Sequence, residues 1–190
     1  MSRTVTVFLV ATIIFLAVLG YVFYATPAGP GVQPNDADNP SPKMYTNAVY
    51  GISFQYPDTY EISEREAGDA HRGHYAITLT RKADLPPPQN GEGPPTVSID
   101  IHQNDIDNMS LLGWLLGTNA GNFKLSDGTY ASTTISGREA VRYRWSGLYE
   151  ADAVAFLHND WFVTISGTYL DPNDSIRRDF QTVVSSFILN

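Results

Sequence analysis

Asp100 and His102 stand two residues apart in TVSIDIHQN (96–104), and Asp105 and Asp107 follow closely. In an extended chain, residues two apart share a face. A carboxylate and an imidazole would therefore project side by side. Imidazole with oxygen ligands is a donor set for zinc, manganese or calcium. The plainer reading is a polar sheet face running into an acidic loop, because spacing fixes no third ligand. Arg142 and Arg144 alternate with Val141, Tyr143 and Trp145, which puts two guanidiniums on one face. Such a pair can bind an anion or a partner's carboxylates. The plainer reading pairs them across the sheet with acidic residues such as Glu150 or Asp152 on the next strand. His71-Arg72-Gly73-His74 sets two imidazoles three residues apart, which on a helix could serve one metal. Here a glycine intervenes and a strand begins, so a hydrated turn is expected. Asp100, His102, Arg142 and Arg144 are thus the candidate binding residues, with no metal assigned.

No stretch is a strong catalytic motif. There is no Gly-x-Ser-x-Gly elbow, and nothing marks a Ser-His-Asp arrangement. NGEGPP (90–95) has glycines but neither the lysine nor the following helix of a phosphate-cradling loop. The absence of cysteine excludes disulfides, thiolate catalysis and thiolate metal sites. No catalytic residue and no cofactor is expected. Asn108-Met109-Ser110 and Asn173-Asp174-Ser175 match the glycosylation sequon, a short pattern that matters only in a eukaryotic secretory pathway. Trp114 with Leu111, Leu112, Leu115 and Leu116 reads as core, with a partner-docking helix as the alternative.

The elements that must position these groups fall into three segments. Residues 5–24, VTVFLVATIIFLAVLGYVFY, carry no charge. At a rise of about 1.5 Å per residue they match a bilayer's hydrocarbon thickness of roughly 30 Å. Tyr21, Phe23 and Tyr24 cluster at the far end, where an interface favours amphipathic rings. The run is longer than a signal peptide's apolar region, so an uncleaved anchor over 1–24 is expected. Arg3 before the span keeps the N-terminus cytoplasmic and the remainder outside. Residues 25–43 hold five prolines and no aromatic residue, the composition of an extended spacer.

From residue 44 to 190 the pattern is globular. Strands are expected at 49–56, 74–82, 96–104, 129–135, 138–146, 151–158 and 161–170. The ladder Tyr50, Ile52, Phe54 and Tyr56 should be one buried face ended by Pro57. Val97, Ile99 and Ile101 should point inward, with Ser98, Asp100 and His102 outward. Helices are expected at 110–119 and, after caps at Asn173 and Asp174, through Ile176, Phe180, Val183, Val184 and Phe187. Residues 83–96, with five prolines, form a long loop. Short hairpins make the strands mostly antiparallel, and helices packed on that sheet give an α+β class. The 190 residues carry 12 Lys and Arg against 20 Asp and Glu, a net charge of −8. That balance argues against nucleic acid as a partner and against a basic lipid-binding face.

YGISFQYPDTYEI (50–62), TTISGREAVRYRW (133–145) and FQTVVSSFIL (180–189) carry a resemblance. The stretch from about 45 to 190 resembles the PsbP-like family, which shares its fold with a nuclear-import factor that binds the GTPase Ran. The resemblance implies an α/β/α sandwich around a central antiparallel sheet. It also implies a non-enzymatic role, since PsbP proteins help assemble or stabilise the oxygen-evolving side of photosystem II. The anchor and spacer stand in place of a thylakoid transit peptide. The expectation is a single-pass, membrane-anchored extracytoplasmic module that binds a protein partner. The alternative is a small-ligand or metal-binding domain with hydrolytic activity around Asp100, His102, Arg142 and Arg144.

Overall fold

The structure, a computed structural model, describes residues 41–68, 72–104 and 108–190. The expected span at 5–24 and nearly all of the 25–43 spacer lie outside the described residues, as do His71, Asp105 and Asp107. No helix among the described residues is long and apolar enough to cross a membrane.

Among the described residues, ten strands and two α-helices follow in the order β1 (Pro42–Asn47), β2 (Ile52–Pro57), β3 (Tyr60–Glu66), β4 (His74–Arg81), β5 (Val97–Gln103), α1 (Leu111–Gly117), β6 (Tyr130–Ile135), β7 (Arg138–Ser146), β8 (Glu150–His158), β9 (Trp161–Tyr169), α2 (Ile176–Ser185) and β10 (Ile188–Leu189). Seven strands form one sheet in the order β3-β4-β5-β9-β8-β7-β6, and β1-β2-β10 form a second. Every pairing is antiparallel. The large sheet is two meanders, β3-β4-β5 and β6-β7-β8-β9, joined where β5 pairs with β9.

Turn chemistry explains the hairpins. Ser136 and Gly137 both have positive φ (48° and 77°), the backbone of a two-residue turn whose twist matches its flanking strands. Asn159 (φ 52°) opens the β8–β9 turn, as Asn159-Asp160 led one to expect.

The sheet is covered on both faces. On one, Ile99, Ile165, Val154 and Phe156 pack against Ile176, Phe180 and Val183 of α2, Ile52 and Phe54 of β2, and Phe187. The α2 helix lies close because Gly167 of β9 has no side chain. A Cβ there would sit 2.8 Å from the Phe180 Cβ. On the other face Val141, Tyr143, Ala153, Ala155 and Phe162 are covered by Trp114 and Leu115 of α1 and by Phe123. The α+β class and the mostly antiparallel sheet hold. The helical layers are thin: one short helix on one side, and one helix with a three-stranded sheet on the other.

The details depart from expectation at four places. The aromatic ladder starts later, since Asn47 Oδ1 accepts from the Val49 N–H (3.0 Å) and Gly51 (φ 63°) completes a turn before β2. Ile52 and Phe54 are fully buried, while Tyr50 and Tyr56 are partly so. β1 begins inside the stretch read as spacer, with Tyr45 stacked on Phe54 at 5.0 Å. The last helix ends at Ser185, and the chain turns into β10. Of the two expected caps, Asp174 acts, its Oδ1 accepting from the Ile176 N–H at 3.1 Å.

Candidate functional site

His74 opens β4, where the antiparallel register sets it directly opposite His102 of β5. The next strand continues the row, with Phe162 of β9 opposite His102. Directly opposed side chains on one face are close neighbours. The two imidazoles accordingly stack, with centroids 3.9 Å apart and an interplanar angle of 21°. Asp100 lies two residues before His102 on the same face, and its Oδ1 is 2.8 Å from His74 Nε2. One ligating atom from each of His74, Asp100 and His102 falls within 4.8 Å of the others.

The α1 helix roofs this row. Ser110 caps it, its Oγ accepting from the Gly113 N–H at 3.1 Å. Trp114 stacks on Phe162 (4.5 Å) and leans over His102 (5.5 Å). Asn104 ties the end of β5 to the start of the helix, accepting from the Met109 N–H at 2.9 Å and donating to the Met109 carbonyl at 3.2 Å. Gln103 N–H donates to the Gly73 carbonyl at 2.9 Å, closing the rim of β4 and β5.

Roofing sets the electrostatics. His102, expected to point outward, is only 8% exposed. Burial, the neighbouring His74 and the charge of Arg72 lower its pKa to about 4 against the opposing pull of Asp100. It is therefore neutral near pH 7, with a lone pair available. Its Nε2 is buried and has no hydrogen-bond partner, a condition that costs about 1–3 kcal/mol. His74 and Asp100 are half-buried at the rim.

Arg142 and Arg144 lie elsewhere. They alternate with Val141 and Tyr143, so they project from the α2 face of the sheet, opposite to the His74–His102 row. Arg144 Nε donates to Asp152 Oδ1 (2.7 Å), its cross-strand partner in register. Arg177 of α2 donates to Asp152 Oδ2 (2.8 Å), and Arg142 donates to Gln181 Oε1 (2.9 Å). Of the two acidic partners considered, Asp152 takes Arg144, while Glu150 accepts from Ser146. The four candidate residues thus divide into two pairs on opposite faces and do not share one pocket.

His74 is the residue that sequence reading placed in a solvated turn. The available signal was its position at the head of an alternating strand. Its partner depends on the register across the loop at 82–96, which local pattern does not specify. The α1 reading divides by residue: Trp114 and Leu115 are core, and Leu112 and Leu116 are exposed.

No family model matches the chain, and no curated protein matches it. Among solved structures, the solution structure of cyanobacterial PsbP (CyanoP) from Synechocystis is similar, with a TM-score of 0.55 and 14% identity. The match covers 85% of this chain and 100% of that one. The domain therefore has a PsbP-like fold.

Proposed function

We propose that the chain is a non-catalytic binding or assembly module, held by an N-terminal membrane anchor and displayed outside the cytoplasmic membrane. Its partner is a protein of a membrane-associated complex. The observation that carries this reading is the likeness of fold to cyanobacterial PsbP across 85% of the chain. The charge-free run at 5–24 and the proline-rich stretch behind it support the anchor and its reach. The acidic balance agrees with a protein partner rather than nucleic acid.

Crosslinking of the full-length chain in its native membrane, followed by mass spectrometry, tests this. The chain should sediment with membranes, and side chains from 41–190 should join to one recurrent protein through a single face. Removing the chain should reduce the assembled form of that partner's complex. Recovery in the soluble cytoplasmic fraction, or abundant folded protein with no crosslinked partner, would overturn the reading.

A further inference from the structure

We propose that His74, Asp100 and His102 form a binding site for one divalent transition-metal ion of the zinc class. Two imidazoles and one carboxylate make a borderline nitrogen–oxygen donor set. Such a set favours Zn²⁺ and its neighbours over Mg²⁺ and Ca²⁺, which prefer oxygen ligands.

The fold supplies the convergence. Register puts His74 and His102 opposite each other, and the pleat puts Asp100 on the same face. The three ligating atoms already lie within 4.8 Å of one another. A tetrahedral ion, with bonds of about 2 Å, would draw these atoms closer and tilt the stacked imidazoles toward one point. The second observation is independent of the cluster's composition. His102 is 8% exposed, and its Nε2 has no hydrogen-bond partner. A buried imidazole nitrogen with no hydrogen-bond partner is a group that a bound metal ion would satisfy. His74 Nε2 and Asp100 Oδ1 already meet at 2.8 Å, so two of the three ligating atoms are neighbours before any ion binds. Metal binding there displaces any proton between them. Trp114 and Phe162 supply the apolar wall that keeps His102 in place. Arg72 is the opposing charge, and the Asp100 carboxylate offsets it. Three protein ligands leave one coordination position for water or an incoming group.

The test is a titration of the purified full-length chain, stripped with chelator, using Co²⁺ as the spectroscopic probe and Zn²⁺ as competitor. One equivalent of Co²⁺ should produce a visible ligand-field band, which Zn²⁺ then removes. Zn²⁺ should raise the thermal midpoint, while Mg²⁺ and Ca²⁺ should leave it unchanged. His74→Gln and Asp100→Asn alter rim residues and should keep the fold, as circular dichroism would show. Each should weaken Co²⁺ binding by at least about 10-fold. His102→Ala should abolish the band, but the rim variants decide the matter should that variant fail to fold. Absence of a band in the parent chain would overturn the proposal. So would equal Co²⁺ affinity in the parent, His74→Gln and Asp100→Asn chains, which would place the ion at other ligands.

Discussion

The carboxylate of Asp152 receives guanidinium groups from two directions, Arg144 on the neighbouring strand and Arg177 on α2. It thereby ties the helix to the sheet. Removing one member of a nearly buried ionic group leaves the others without their counter-charge. Asp152→Asn should lower stability by about 2 kcal/mol, a fall in thermal midpoint of several degrees. In double-mutant cycles Arg177 should couple to Asp152 more strongly than Arg144 does, because Arg144 is 67% exposed and solvent screens its pairing. Equal coupling would contradict this account. His158 gives a pH prediction. It is buried, and burial together with Arg138 lowers its pKa from 6.5. The unfolded chain therefore binds a proton more readily than the folded one. The stability linked to this group is complete above pH ~6.5 and is lost as pH falls below it. Thermal midpoints followed from pH 7.5 to 5 should decline, and His158→Gln should decline less steeply. His102 acts in the same direction, so the variant's slope should shrink without vanishing. Parallel slopes would refute the assignment.

Gly167 decides how closely α2 lies on β9. Gly167→Ala would drive a methyl group into the Phe180 ring, with Cγ at 2.9 Å. Overpacking of this kind costs about 1–3 kcal/mol. Phe180→Ala in the same chain removes the Cγ and ring carbons that the methyl meets, so the double variant should be more stable than the sum of its singles. Simple additivity would show that the helix moves freely instead. This scale is also where sequence reading succeeded and failed. β7, β8 and β9 were legible because alternation and turn residues are local signals, and Ser136-Gly137 and Asn159-Asp160 are strong ones. β1 was not, because its side chains are mostly exposed and its only large anchor is Tyr45. The two-residue β10 is too short to carry a period. Arg144 with Asp152 was foreseen, since one short hairpin sets their register. His74 with His102 was not, because a long loop separates their strands. Burial of His102 was missed for a related reason: alternation identifies a face but not what covers it, and here Trp114 does.

At the scale of the molecule, the seven-stranded sheet has exposed edges at β3 and β6. β3 carries Glu61, Glu64, Arg65 and Glu66, all exposed, which discourages another strand from adding there. The polar β6 edge is guarded by its own hairpin partner on one side only. Joining two meanders through one seam has a further consequence. The pairing within each meander is between chain neighbours, and within the large sheet the β5–β9 ladder alone joins the two, with α2 and β10 on β2 and α1 on β7, β8 and β9 as further fastenings. The backbone between them is interruptible. A single protease nick at the exposed Asp127–Gly128 bond should leave both pieces bound and spectroscopically native. They should part only in denaturant, and return on dilution as a complementing pair.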